Sequence, residues 1–239
     1  MMLPDFTQTA DENVLWEKLF DFAHSAYGVT SMLYAFTHSK YTVSRTGIMP
    51  SIYLRHNYPD DYIATYGGEL SLDNSVAAEL ILAGGSHLFW SDFPRMELSP
   101  GQRERIAMDQ ACGMNTGISF GFRFGANSGF AALCWASRHA DAHDFKQIIL
   151  QNQAEIDHVA NAFQIRMRAA MIAGRIRLTP REKEVLSYSA GGMTAKQIGT
   201  HLGLSQKTVS NTLQRARQSL GAVSTMEAVA KALVYELIV

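Results

Sequence analysis

The sequence predicts an α+β protein: an N-terminal α-β-α sandwich with an antiparallel sheet of about five strands, followed by a C-terminal block of four helices. Two features indicate the sandwich. Short segments rich in aromatic and β-branched residues lie between helical patterns, and a long amphipathic stripe follows them. One feature indicates the helical block, because after residue 177 only helical periods remain, bounded by capping residues or glycine.

Composition excludes several classes of protein. The 239 residues are 47% hydrophobic and 18% charged, which is typical of a globular chain. No apolar run approaches the ~20 residues of a membrane span, and the polar N-terminus lacks the pattern of a secretion signal. Cys112 and Cys134 are too few for a disulfide scaffold and lie among apolar residues. We therefore expect a cytoplasmic protein with two buried thiols and no membrane partner.

Local patterns predict the elements of the first region in order. Apolar residues at helical spacing predict a helix over 11–27 that stops at Gly28. The next elements are strands at Thr30–Thr37 and about 48–55, helices at about 59–66 and 75–83, a short strand at His87–Trp90, and a helix from Pro100 to Cys112 capped by Ser99.

A hairpin and a long helix complete the predicted sandwich. Gly117–Phe124 and Gly129–Ser137 are typical of two strands joined at Gly125–Ser128. The helix over about 144–171 carries an apolar stripe at spacings of three and four: Phe145, Ile149, Asn152, Ile156, Val159, Phe163 and Met167. Such a stripe packs on the domain's own sheet or contacts a second copy of the chain, and the sequence leaves both open.

The net charge of −1 conceals an asymmetry. Residues 175–239 contain nine basic and four acidic side chains, a net charge of +5, whereas the rest of the chain carries −6. A basic block joined to an acidic body suggests contact with an anionic polymer, although a solvated basic face has the same composition.

The helical block has the spacing of a helix-turn-helix. Thr179 and Glu182 form a capping box around Pro180, which begins the first helix. Thr194 caps a second helix that stops at Gly203, and Ser205 caps a third after about three residues. This arrangement is typical of DNA-binding proteins.

The third helix separates by angle into two faces. Val209, Leu213, Ala216 and Leu220 lie within one narrow arc and are expected to face inward. The opposite face contains Lys207, Asn211, Gln214 and Gln218, flanked by Ser210 and Arg215. Amide side chains pair with adenine edges and lysine suits guanine or phosphate, so this acid-free face favours DNA over a merely solvated surface.

Residues 178–222 closely resemble the DNA-binding domain of LuxR-type transcription factors. The residues in pattern are Leu178, Thr179, Arg181, Glu182, Glu184, Val185, Leu186, Gly192, Ile198, Leu202, Ser205, Thr208 and Val209. The family's fourth helix, which helps the DNA-binding domains dimerise, fits Thr225–Leu237. Thr212 stands where the family commonly has histidine next to the DNA backbone, so we expect a different operator.

The resemblance implies a homodimer that binds a partly palindromic double-stranded operator of about 18–20 base pairs and acts with the transcription machinery. Lys207, Asn211 and Gln214 are expected to choose bases, and Arg215 and Arg217 to hold phosphates. The full set of expected DNA-binding residues is Thr194, Ser205, Lys207, Thr208, Ser210, Asn211, Gln214, Arg215 and Arg217.

The N-terminal region resembles the autoinducer-binding domain of quorum-sensing LuxR-type regulators. The resemblance is carried by Asn57, Tyr58, Pro59, Tyr62, Tyr66, Asp73, Trp90 and Gly117. It implies a pocket for an N-acyl homoserine lactone, with no other cofactor and no metal. Tyr58 would donate to the amide carbonyl, Asp73 would accept from the amide N–H, and Tyr66 and Trp90 would wall the chain or ring. We expect Asp73 to be the polar anchor and the Tyr58 and Tyr62 hydroxyls to face it.

Two departures from the family pattern keep another ligand open. Tyr62 replaces the tryptophan that donates to the lactone carbonyl, and Asn74 replaces the proline after Asp73. The alternative is a LuxR-type regulator that senses a non-lactone molecule or acts without ligand. Core packing would equally explain Tyr66 and Trp90, and a helix cap would explain Asp73.

Other function classes fit poorly, and we expect no catalytic residues and no enzyme. His139 and His143 bracket a helix start and are typical of a surface. Gly121, Gly125 and Gly129 lack the context of a phosphate-binding loop. The predicted organisation is a sensor domain over 1–171, a linker over 172–177 and a DNA-binding domain over 178–239.

Overall fold

A computed structural model describes residues 3–37, 52–67, 73–125 and 129–238. The chain divides into two compact units. The first contains residues 1–123 and 130–170, and the second contains 124–129 and 171–239. In the described part of the chain, no helix is both long and apolar enough to cross a membrane.

Helix α1, Glu12–Tyr27, has the bounds that its sequence predicts. The Asp11 carboxylate accepts from the backbone N–H groups of Asn13 and Val14, which fixes the beginning. Gly28 ends the helix in the left-handed region, at φ 66°, where a side chain would be strained.

The described strands form one five-stranded sheet in the order β2-β1-β5-β4-β3. The strands are β1 Ser31–Thr37, β2 Tyr53–His56, β3 His87–Phe89, β4 Gly117–Phe124 and β5 Gly129–Ala136. β1 pairs antiparallel with β2 and β5, and β3 pairs antiparallel with β4. The predicted fold class is confirmed. Residues 48–51 of the second predicted strand and 126–128 of the predicted turn lie outside the described residues.

Strand β1 shows that both faces of the sheet are covered, because all seven of its residues are buried. On one face, the Tyr34 ring meets Phe163 edge-on at 5.5 Å. On the other face, Leu33 and Ala35 belong to a cluster with Tyr58. Alternate residues of one strand therefore serve two different layers.

Short helices cover the second face. They are α2 Asp60–Ala64, α3 Val76–Ala83, a 3₁₀ helix at Trp90–Arg95 and α4 Pro100–Ala111. Ser99 and Gln102 form a capping box that fixes the beginning of α4. The strand predicted to include Trp90 ends one residue earlier, and Trp90 begins the 3₁₀ helix instead.

The single long helix predicted over about 144–171 is wrong. The structure has α5 Ala142–Gln151 and α6 Gln153–Arg175, separated at Asn152. The Asn152 side-chain amide donates to the Ile148 carbonyl at 2.9 Å, and a polar side chain that bonds the backbone in this way competes with the helix. The apolar residues of the stripe are buried nevertheless. Residues 172–175, expected in a linker, continue α6.

The second unit contains the four predicted helices: α7 Pro180–Ala190, α8 Ala195–Leu202, α9 Gln206–Ser219 and α10 Thr225–Val234. Thr179 and Thr194 each cap a helix through a capping box, and Ser205 caps α9. Val185, Ile198 and Val209, one from each of the first three helices, form its fully buried centre.

Candidate functional site

A cavity of about 110 Å³ lies in the first unit, against the face of the sheet that carries Leu33 and Ala35. Its lining combines apolar side chains with a few polar groups: Leu33, Ala35, Tyr58, Tyr62, Val76, Ile81, Trp90, Arg105, Asp109, Met114, Ser119 and Cys134 are among them. A neighbouring cavity of about 370 Å³ shares six lining residues with it: Ala35, Asn74, Ser75, Ala78, Ile81 and Ala132. Concave, mostly apolar spaces with few polar groups are typical of small-molecule sites.

Tyr58 supplies one donor to this cavity. Its ring is buried and meets the Tyr62 ring edge-on at 5.2 Å. Burial raises the pKa of the Tyr58 hydroxyl well above its usual value, so the group stays protonated. Among the residues that the structure describes, this hydroxyl makes no hydrogen bond. A polar group in this position gains free energy when a ligand pairs with it.

Asp109 contacts three other side chains at the cavity wall: Tyr62, Tyr66 and Arg105. Its Oδ1 accepts from the Tyr62 hydroxyl at 2.9 Å and also from the Tyr66 hydroxyl. Burial, together with the bond to Asp109, raises the pKa of Tyr66 to about 12 and that of Tyr62 further. The Arg105 guanidinium lies over the Tyr66 ring, with Cζ 4.7 Å from the ring centroid. Its Nε lies 3.9 Å from Asp109 Oδ2.

Trp90 is fixed by strands β4 and β5. Its Nε1 donates to Ser119 Oγ at 3.0 Å, and the Cys134 thiol donates to the same oxygen at 3.3 Å. Gly117 leaves the space that the indole ring occupies, because a Cβ there would lie 2.7 Å from the ring. Burial raises the pKa of the Cys134 thiol to about 11. Cys112, which we expected to be buried, is only half-buried.

Helix α9 of the second unit presents the two predicted faces. Val209 and Ala216 are fully buried, Leu220 is nearly so, and Leu213 is half-buried. The polar residues Ser210, Lys207, Asn211, Gln214, Arg215 and Gln218 are all exposed. The surface is free of acidic side chains, so it has the hydrogen-bonding groups and the charge that a DNA groove requires.

Comparison with known proteins decides the family. Residues 11–167 match the autoinducer binding domain, and residues 177–232 match the luxR family of bacterial regulatory proteins. The chain belongs to the LuxR family of autoinducer-binding transcriptional regulators. Quorum sensing and DNA binding through a helix-turn-helix domain are the functions of this family.

Individual relatives agree with this LuxR-family assignment. The chain is 29% identical to the quorum-sensing-dependent regulator RpaR of Rhodopseudomonas palustris over 82% of this chain and 79% of RpaR. It is 24% identical to the transcriptional activator LuxR of Aliivibrio fischeri over 78% and 75% of the two chains. The crystal structure of Escherichia coli SdiA has the same fold, with a TM-score of 0.65 and 17% identity over 98% of this chain and 94% of SdiA.

In this LuxR-family regulator, Asp73 lies away from Tyr58 and Tyr62, whose hydroxyls were expected to face it. The Asp73 side chain is exposed and lines the neighbouring cavity, while its backbone carbonyl accepts from Arg105 Nη1 at 2.9 Å. The Tyr62 hydroxyl instead donates to Asp109. Asn74 has φ 57°, a conformation that proline cannot adopt, which explains the departure from the family's proline. The ligand roles of these residues stay predictions.

The remaining predicted ligand residues fall into two groups. Tyr58, Tyr62 and Trp90 line the 110 Å³ cavity. Tyr66 and Gly117 contact residues that line it. Tyr66 donates a hydrogen bond to Asp109, and Gly117 leaves space for the Trp90 ring. Sequence reasoning missed Asp109, Arg105 and Ser119. The spacing of Arg105 and Asp109 on one helix signals an ion pair, but it gives no sign that the pair faces a cavity.

Two residues of the second unit make hydrogen bonds within that unit. Thr212 is 1% exposed and its hydroxyl donates to the Thr208 carbonyl, so its side chain belongs to the core of the unit. Arg217 is half-buried and donates to the Val223 carbonyl at 2.7 Å, which holds the turn after α9. Thr194, Ser205 and Thr208 lie around the helix beginnings, where the first two already accept backbone N–H groups.

Proposed function

We propose that this regulator senses an N-acyl homoserine lactone in the 110 Å³ cavity and its neighbour, and that it binds a palindromic operator as a homodimer. The observation that carries the ligand proposal is the buried, protonated Tyr58 hydroxyl beside apolar walls. An acyl amide supplies the carbonyl that this donor needs and a chain for the walls.

The ligand proposal is tested by identifying the small molecule that remains bound to the protein through purification. The full chain is expressed in the presence of a panel of acyl homoserine lactones, purified, and examined by mass spectrometry. Tyr58→Phe removes only the donor and should weaken binding of the retained lactone by about threefold to tenfold. Tyr188→Phe in the second unit is the matched control. Equal retention by wild type and Tyr58→Phe would contradict the role of Tyr58.

The DNA proposal rests on the exposed face of α9. Two copies of this helix fit successive major grooves about one helical turn apart, which gives a site of about 18–20 base pairs. Lys207, Asn211 and Gln214 contact base edges, and Arg215 contacts phosphate. The transcription machinery would then meet the DNA-bound dimer.

Gln214→Ala tests base contact directly. Selection from a randomised operator library should lose preference at one position of each half-site, at a cost of about 1–3 kcal/mol. Thr212→Ala is the control, because the Thr212 side chain is buried. A uniform loss of affinity across all sequences would show that Gln214 only positions the helix.

A non-lactone ligand is the second candidate, and the bond from Tyr62 to Asp109 favours it. A hydroxyl that donates to Asp109 is not available to a lactone carbonyl. Tyr62→Trp restores the family's usual donor and should preserve or improve lactone binding if the ligand is a lactone. If the cavity is shaped for another molecule, the larger indole should overfill it and cost about 1–3 kcal/mol.

We also propose domains over 1–171 and 178–239 with a linker over 172–177. Residues 176–179 are outside helices and Arg177 is exposed, which supports a protease-sensitive segment there. Limited digestion with trypsin should cut first after Arg177 and then after Arg175 at the end of α6. A stable fragment that retains residues 150–200 would contradict these boundaries.

A further inference from the structure

The wall of the 110 Å³ cavity contains a carboxylate that the family pattern does not assign. We propose that Asp109, and not Asp73, selects the ligand by accepting a hydrogen bond from a hydroxyl or N–H on a neutral head group. This inference rests on the proposed ligand cavity and names the chemistry of the molecule that the cavity takes.

The hydrogen bonds of Asp109 leave one oxygen available. Tyr62 and Tyr66 both donate to Oδ1. Oδ2 lies 3.9 Å from Arg105 Nε, beyond hydrogen-bond distance, and accepts no hydrogen bond among the described residues. A carboxylate has about four acceptor positions, so Asp109 retains capacity for a ligand donor.

The charge of the cluster selects a neutral ligand. The side chains of Arg105 and Asp109 are 12% and 22% exposed and carry opposite charges. Arg105 would repel a cationic ligand and Asp109 would repel an anionic one, and partial burial weakens the solvent screening of both repulsions. A neutral head group with a polarised O–H or N–H gains the charge-assisted bond without leaving an unbalanced charge in the cavity.

Two further polar groups of the lining indicate where the ligand needs acceptors. Tyr58 offers its hydroxyl proton, and Ser119 accepts from Trp90 and Cys134, so its own proton is also available to the cavity. Both residues line the same cavity as Asp109. The matching head group therefore has a donor close to an acceptor oxygen, as in a secondary amide or a hydroxyl beside an ester.

Position distinguishes Asp109 from Asp73. The side chain of Asp73 is exposed at the edge of the larger cavity. At an exposed carboxylate, a ligand donor competes with water for the same oxygen. At a largely buried carboxylate, water has less access, so a ligand donor supplies a hydrogen bond that would otherwise be missing. Asp109 should therefore discriminate between head groups more strongly than Asp73 does.

The test uses the full chain and two probes with the same eight-carbon chain, N-octanoyl homoserine lactone and 1-octanoylglycerol. Binding is measured by calorimetry for wild type, Asp109→Asn and the matched control Asp73→Asn. Asp109→Asn should weaken each probe that binds by about tenfold to a hundredfold, and Asp73→Asn by less than about threefold.

A second measurement needs no variant. Methylating the donor, as in the N-methyl lactone or the dimethyl ether of the glycerol ester, removes the bond to Asp109 while the chain is unchanged. Wild type should lose at least about tenfold in affinity for the methylated probe. In Asp109→Asn the same methylation should cost less than about threefold, because the amide oxygen stays with the Tyr62 and Tyr66 hydroxyls and the ligand then faces an NH2 group, which cannot accept.

The outcomes separate this inference from the lactone proposal. If only the glycerol ester binds and Asp109→Asn loses it, Asp109 is the selecting residue and the lactone proposal fails. If the lactone binds and is lost in Asp73→Asn but not in Asp109→Asn, the lactone proposal stands and this inference is overturned. If wild type binds neither probe, the inference is overturned as well.

Discussion

The proposed DNA-binding surface and the proposed ligand cavity are built in opposite ways. All side chains of the α9 surface come from one helix, over residues 207–218. The cavity takes Leu33 from β1, Tyr58 and Tyr62 from the region of α2, Asp109 from α4 and Cys134 from β5. A surface on one helix depends on local signals, whereas this cavity depends on how distant segments meet.

Local signals are correspondingly dense in the helical block. The capping boxes at Thr179 and Thr194 fix where two helices begin, and Gly203 at φ 67° fixes where α8 ends. The cavity depends in addition on close packing between segments, as where Gly117 leaves space for the Trp90 ring. Substitutions in the two regions should therefore lower stability or binding for different physical reasons.

Ile198→Ala should have the largest effect, about 2–5 kcal/mol lost from the free energy of unfolding of the helical block. Ile198 is fully buried against Val185 and Val209, so the change leaves a cavity that holds α9 less firmly. Hydrogen exchange should accelerate in α7–α9 and DNA affinity should fall. Thr200→Ala, an exposed neighbour on α8, should change stability by less than about 0.5 kcal/mol. Unchanged exchange in α9 would show that these helices do not form one cooperative core.

Gly117→Ala should cost about 1–3 kcal/mol and weaken ligand binding. The added Cβ would lie 2.6 Å from the Trp135 carbonyl and 2.7 Å from the Trp90 ring, and the backbone atom cannot rotate away. Chemical denaturation measures the cost. Gly174→Ala is the matched control, because nothing lies within 4 Å of its Cβ and alanine favours a helix. Equal stability of the two variants would contradict the close packing of Trp90.

Thr194→Ala should cost about 1 kcal/mol, because α8 loses the side-chain oxygen that accepts from the Gln197 N–H. Thr194→Ser keeps that oxygen and should restore most of the stability. Thermal unfolding and operator binding are measured together on the three proteins. If both substitutions weaken DNA binding equally while only alanine lowers stability, Thr194 contacts DNA in addition to capping the helix.

Cys112 and Cys134 should differ in their rates of alkylation in the unmodified folded protein. Because the pKa of Cys134 is about 11, roughly one thiol in a thousand is ionised at pH 8, and its side chain is also buried. Iodoacetamide should therefore modify the half-buried Cys112 first, as peptide mass spectrometry would show. The rate at Cys134 should rise about tenfold per pH unit towards pH 11. Modification of Cys134 as fast as Cys112 at pH 8 would contradict its burial.

Much of the fold was predictable because its signals are short-range. Strands β1, β3, β4 and β5, the bounds of α1 and α4, and the caps of α7, α8 and α9 agree with the prediction within a few residues. The break at Asn152 was not predicted. Its spacing fits the apolar stripe, but the asparagine side chain bonds the Ile148 carbonyl. Periodicity alone does not distinguish a polar member of a stripe from an interruption.

By itself, the sequence determined the order of the elements, the polar face of α9 and the likeness to the LuxR family. Each of these depends on residues within one helix, one strand or one contiguous motif. Only the tertiary structure decided that Asp109 receives the Tyr62 and Tyr66 hydroxyls, that Asp73 lies apart from them, and that Thr212 is buried. The physical reason is that burial and hydrogen-bond partners depend on which faces of distant elements pack together, and spacing along the chain does not specify that.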